Sequence, residues 1–200
     1  MTDIPPGPRP SPGKVEGGGA VEAFTLQPHP DFPGRAVRSI TATATREGDA
    51  LNLVYRLTGA MDDVLWPVPA EPAFRDELWR HSCCEAFVAP HGAPGYVELN
   101  IAPSTEWAAY AFDGARAGMR RPKGVVVFEA AWLAAPEVAE LRARAVLPGL
   151  MDSNWDVALT AVIEERDGTR SYWALAHAPG PPDFHNRDCF TARLAAPSHP

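Results

Sequence analysis

Cysteine is scarce and basic charge is in deficit, and both shortages narrow what the chain does. Three cysteines in 200 residues, Cys83, Cys84 and Cys189, are too few and too odd in number for a disulfide scaffold. That favours a reducing, cytoplasmic setting. Eighteen basic against 25 acidic residues leave a net charge of −7. This balance speaks against a sequence-independent nucleic-acid surface, which needs a basic face. No apolar run approaches the roughly 18 residues of a membrane-spanning helix. The opening Met1-Thr2-Asp3-Ile4-Pro5-Pro6 has neither the basic head nor the apolar stretch of a signal peptide. Catalytic signatures are missing too: there is no CxxC pair, no HExxH, no GxSxG elbow and no c-type haem motif. Gly17-Gly18-Gly19 lacks the Gly-Lys-Ser/Thr ending of a phosphate loop.

The sequence does contain a core and abundant turns, with 46% hydrophobic residues, 22 prolines and 16 glycines. Residues 1–19 stand apart, Pro/Gly-rich with almost nothing apolar to bury. They read as a disordered leader, and residues 20–196 as one domain. Within that body the period is two. Leu51, Leu53, Tyr55 and Leu57 alternate with Asn52, Val54, Arg56 and Thr58, and Val97, Leu99 and Ile101 alternate with Glu98 and Asn100. Val157, Leu159, Ala161 and Ile163 share one parity in the same way. Successive strand side chains point to opposite faces, so each run offers one face to a core. Further strands are expected at 23–27, 38–45, 64–68, 84–89, 107–112, 125–132, 142–147 and 190–194. Gly48-Asp49, Pro148-Gly149 and Asp167-Gly168 mark turns between them. Helical signals are confined to 71–80 and to 136–145, where a proline precedes good helix formers and the helix competes with a strand at 142–147. The expected fold is all-β, an antiparallel two-sheet β-sandwich with one or two short helices.

Polar residues gather in three places: 78–87, 96–110, and a late group at 171–177 and 182–185. Glu85 stands in an otherwise apolar strand, while Glu98 and Asn100 share the face opposite Val97, Leu99 and Ile101. A carboxylate so placed is costly unless paired, hydrogen-bonded or open to a polar cleft. Trp79 and Trp107 flank this group, and aromatic rings beside carboxyl and amide groups suit a sugar. The competing reading is a buried polar network that holds the sheets in register. Trp132, Trp155 and Trp173 read as core residues, as does at least one of Cys83 and Cys84. His81, His177 and His185 are the candidates for a metal or haem, with Met119 the one thinkable second axial ligand.

The runs 78–87, 96–103 and 107–110, with 171–177 and 182–185, resemble segments of a DOMON-like domain of the bacterial branch. The resemblance covers nearly all of 20–196. It implies a β-sandwich related to family 9 carbohydrate-binding modules and to the haem-binding cytochrome domains of sugar dehydrogenases. The group's ligand-facing polar positions would fall on Glu85, Glu98 and Asn100, with aromatic walls at Trp79 and Trp107.

The resulting expectation is a cytoplasmic, non-catalytic module that binds a small molecule, a carbohydrate or similar polyhydroxylated ligand, without a cofactor. The alternatives are a haem or metal module using His81, His177 or His185, a protein–protein adaptor with the leader as tether, and a glycoside-active enzyme with Glu85 or Glu98 as acid or base. The oligomeric state is left open.

Overall fold

Gly48 and Asp49 reverse the chain in two residues, with Gly48 at φ 64°, a left-handed conformation that glycine reaches without a Cβ penalty. They join β2 (Val37–Glu47) to β3 (Ala50–Gly59), and alternation sorts these strands into buried and open faces. The computed structural model describes residues 23–150 and 152–197, so the expected leader lies outside the described residues. Among the described residues the remaining strands are β1 (Ala23–Pro28), β4 (Cys83–Pro90), β5 (Tyr96–Ile101) and β6 (Trp107–Phe112). Then come β7 (Val126–Ala135), β8 (Val138–Val146), β9 (Trp155–Glu164), β10 (Arg170–Ala174) and β11 (Ala192–Leu194).

All strand pairs are antiparallel, in the order β6-β5-β4-β9-β10-β1-β2-β3-β8-β7, with β11 beside β9. The expected two sheets are therefore joined. Leu26 of β1 pairs with Ile40 of β2 while Gln27 pairs with Ala174 of β10, so hydrogen bonding runs from one half to the other. The result is one sheet folded over on itself around a shared core. Leu53 and Leu57 of β3 and Leu141 of β8 belong to the same buried cluster as Ala86 and Val88 of β4, Leu99 of β5 and Leu159 of β9. Tyr55 crosses this core, and its buried hydroxyl donates to the Glu85 carbonyl at 2.6 Å.

The helix expectations do not hold. Residues 136–145 form the turn after β7 and most of β8, because Ala139, Leu141, Ala143 and Ala145 have a period of two and β8 is paired on both edges. Tertiary pairing overrides helix propensity here. Residues 71–75 are irregular apart from a bridge at Phe74, and 76–80 form a turn leading into a single 3₁₀ turn at Leu78–Arg80. The segment instead covers the edge of β6. The Arg75 amide donates to Trp107 O, and the Trp107 amide donates to Ala73 O, each at 2.9 Å. The strand expected at 64–68 shrinks to one bridge between Val64 and Glu165, next to Pro67.

Leu141→Ala raises the helix propensity of β8 yet removes a fully buried side chain. It is expected to cost about 2–5 kcal/mol of stability, read as a lower midpoint in urea unfolding. An unchanged midpoint would mean that packing does not hold this segment as a strand.

Candidate functional site

Alternation in the second half of the sheet separates two buried environments. In β4, Cys84, Ala86 and Val88 enter the shared core, whereas Cys83, Glu85, Phe87 and Ala89 face outward. In β5, Val97, Leu99 and Ile101 face the core, and Tyr96, Glu98 and Asn100 face outward. Tyr110 and Phe112 of β6, Val162 of β9 and Ala174 of β10 complete this outer face, which Phe184 and Phe190 partly cover. Over it lies a cavity of about 410 Å³, within the range of small-molecule pockets.

The cavity floor carries Glu85, 2% exposed, and Glu98, 5% exposed. Register places Glu85 between Asn100 of β5 and Thr160 of β9, and sets Glu98 opposite Phe87. Thr160 Oγ1 donates to Glu85 Oε2 at 2.9 Å, and Asn100 Nδ2 donates to Glu98 Oε1 at 2.6 Å. Each carboxyl thus has one oxygen tied to the sheet. Trp79, Phe112, Tyr172 and Phe184 contribute aromatic wall, and Trp79 meets Tyr110 edge-on with ring centroids 5.4 Å apart. Arg80, Arg116 and Arg170 border the opening with the half-exposed Met119.

His185 also lines the cavity, and its protonation follows from its neighbours. Tyr96 Oη accepts the Arg116 amide at 3.2 Å and lies 2.7 Å from His185 Nδ1. In that contact Tyr96 Oη donates to an unprotonated Nδ1 or accepts from a protonated one, according to the tautomer of the ring. The ring Nε2 lies 3.8 Å from Glu98 Oε2. Burial, with the Arg116 charge adding to it, pushes the His185 pKa down to about 4. Burial, followed by the proximity of Glu98, pushes Glu85 up to about 8, against the opposing pull of Thr160 and Arg116. Burial raises Glu98 as well, opposed by the Asn100 hydrogen bond and by Arg116. Burial thus favours the protonated forms of both Glu85 and Glu98 and the neutral form of the His185 ring near Glu98.

Of the sequence-expected residues, Trp79, Glu85 and Glu98 line the cavity. Asn100 is wholly buried beneath it and acts through Glu98. Trp107 does not belong to the site: it pairs with Ile101, shares the core-facing parity of Ala109, and packs edge-on against Phe74 at 5.7 Å. His81 bonds Glu164 at 2.7 Å and lies outside this cavity, and His177 Nε2 donates to the Gln27 carbonyl at 2.8 Å. Among the described residues no group of three or more His, Cys, Asp or Glu side chains could hold a metal ion. Sequence reasoning missed Tyr96, Arg116 and Arg170. Tyr172 and Phe184 fall in the late polar group and were within reach, whereas Arg116 and Arg170 sit in unremarkable context and carry no signal of their own.

No protein-family model matches the chain, and neither does any curated protein. Solved structures share its fold, two of them carbohydrate-binding by description. One is a candidate carbohydrate-binding protein of Bacteroides uniformis, with 13% identity, a TM-score of 0.64, and 88% of this chain covered against 87% of that one. The other is a family 9 carbohydrate-binding module of Caldicellulosiruptor kristjanssonii in complex with cellotriose, with 9% identity, a TM-score of 0.58, and 90% and 84% covered.

The raised Glu85 pKa makes the folded chain hold a proton that the unfolded chain releases above the ordinary carboxylate range, so this contribution to stability is present at acid pH and lost as pH rises toward 8. The lowered His185 pKa acts oppositely, its contribution being lost as pH falls from about 6.5 toward 4. Between pH 6.5 and 8 the remaining slope belongs to the Glu85–Glu98 pair, at up to about 1.4 kcal/mol per pH unit for each proton released. Urea unfolding is expected to show that decline in the wild type and to have it reduced in Glu85→Gln, where Glu98 remains. A slope unchanged in the variant would refute the assignment to Glu85.

Proposed function

We propose that the chain is a non-catalytic binding domain for a carbohydrate or a similar polyhydroxylated small molecule. The observation that carries this reading is the cavity floor, where two buried carboxyls, each with one oxygen fastened to the sheet, lie between aromatic walls. Sugar hydroxyls bond to the remaining carboxyl oxygens while C–H faces stack on Trp79 or Tyr172. The fold shared with two structures described as carbohydrate-binding supports the reading, as does the resemblance to DOMON-like domains. Fold alone does not carry function, so the argument rests on the site.

The reading requires no cofactor. His185 is the histidine that lines the cavity, and its Nδ1 is engaged with Tyr96 Oη at 2.7 Å. The three cysteines are free and buried, which supports a reducing, cytoplasmic setting.

Isothermal titration with saccharides selected on a glycan array tests the site. Trp79→Ala and Glu98→Gln are each expected to weaken binding about tenfold or more. Trp107→Phe is expected to lower the melting temperature while leaving affinity intact, since Trp107 packs in the core. If the Trp79 and Glu98 variants bind as the wild type does, the cavity is not the binding site.

A further inference from the structure

Arg80, Arg116 and Arg170 reach one opening from three separate parts of the fold: the 3₁₀ turn before β4, the loop after β6, and the start of β10. Each is anchored by one terminal nitrogen to an acid that does not line the cavity. Arg80 Nη2 lies 2.7 Å from Glu77, Arg116 Nη2 lies 2.8 Å from Asp183, and Arg170 Nη2 lies 3.0 Å from Glu164. A guanidinium has five N–H donors in a planar fork, so anchoring one nitrogen fixes its direction and leaves donors for an occupant.

Arg116 is the most elaborately held. Its backbone is left-handed at φ 54°, uncommon for a residue with a side chain. Its amide is tied to Tyr96 Oη, and the loop around it is closed by Arg120 bonding Asp113 and by an Ala111–Arg120 bridge. Arg116 also acts electrostatically on the floor, favouring the charged forms of Glu85 and Glu98 and the neutral form of His185. Among the described residues these three arginines are the cationic side chains lining the cavity, in a chain whose net charge is −7.

We infer that the occupant is an acidic saccharide, with a uronate carboxylate held at the rim by Arg116 and Arg170 or Arg80 while its hydroxyls meet the floor carboxyls. The inference rests on the carbohydrate reading above and deepens it. Planar carboxylates match the guanidinium fork, and such charge-assisted bonds are stronger than neutral ones. Acid at the rim and hydroxyls at the floor also keep the ligand's charge away from Glu98.

The test is isothermal titration of the full chain with matched disaccharides of gluco, galacto and manno configuration. Each is supplied as the neutral hexose-terminated form, the hexuronate-terminated form and the uncharged hexuronamide. The uronate is expected to bind about tenfold or more tighter than either uncharged form in at least one configuration. That preference should shrink as salt is raised. Arg116→Gln and Arg170→Gln, checked for an intact fold by their melting temperatures, should each bring the uronate-to-neutral ratio toward one. Equal affinity for charged and neutral forms overturns the acidic class and leaves the carbohydrate reading standing. Failure of every saccharide to bind overturns both.

Discussion

Strand β4 is buried on both faces, and the remaining architecture follows from how its two faces are satisfied. Its inner residues are small and apolar, as needed beneath the folded-over half of the sheet. Its outer residues include an ionisable carboxyl, Glu85, that would destabilise the sheet if left charged and alone. Three devices contain that cost: a hydrogen bond from Thr160 on β9, retention of the proton, and a cavity in place of a packed layer above it. β5 repeats the arrangement with Glu98, held by Asn100 two residues along the same face. A polar network built only to lock the sheet would engage every oxygen. Here each carboxyl is fastened by one oxygen and borders open volume, the arrangement of a site more than of a staple.

The same alternation sets how far the sequence could be read. Period two exposed most of the strands and the face shared by Glu98 and Asn100, because a strand's parity is local information. Which face of one strand joins which face of the next depends on register, and there the reading of Trp107 failed. Trp107 and Tyr110 lie three residues apart in β6 and so point to opposite faces, and the pairing of Trp107 with Ile101 gives the tryptophan to the core and Tyr110 to the cavity side. Nothing local to 107–112 distinguishes these outcomes. The segment 136–145 shows the converse. Its composition favours a helix while its alternation favours a strand, and two neighbouring strands settle the conflict.

The rim was the least legible part, for a physical reason. Arg80, Arg116 and Arg170 are separated by 36 and 54 positions in sequence and meet only through the fold. A lone surface arginine has no periodicity to betray it. Its role depends on which acid anchors it and on which side the remaining donors point, and both are long-range facts: the partner of Arg116 is Asp183, 67 residues away.

If the cavity binds as proposed, floor and rim divide the work of recognition. Glu85 and Glu98 sit on strands paired on both sides, so their positions are fixed before a ligand arrives and little ordering cost falls on binding. That favours geometric selection, a hydroxyl pattern matched to two carboxyls and one imidazole. The rim groups are long side chains at loops and element ends, each tethered at one point, which favours selection by charge over a range of shapes. Because Arg116 bears on the protonation of the floor groups as well as on the opening, the two layers are coupled. A ligand anion that neutralises Arg116 would withdraw part of the support for the charged carboxylate forms, so an acidic occupant should take up protons as it binds.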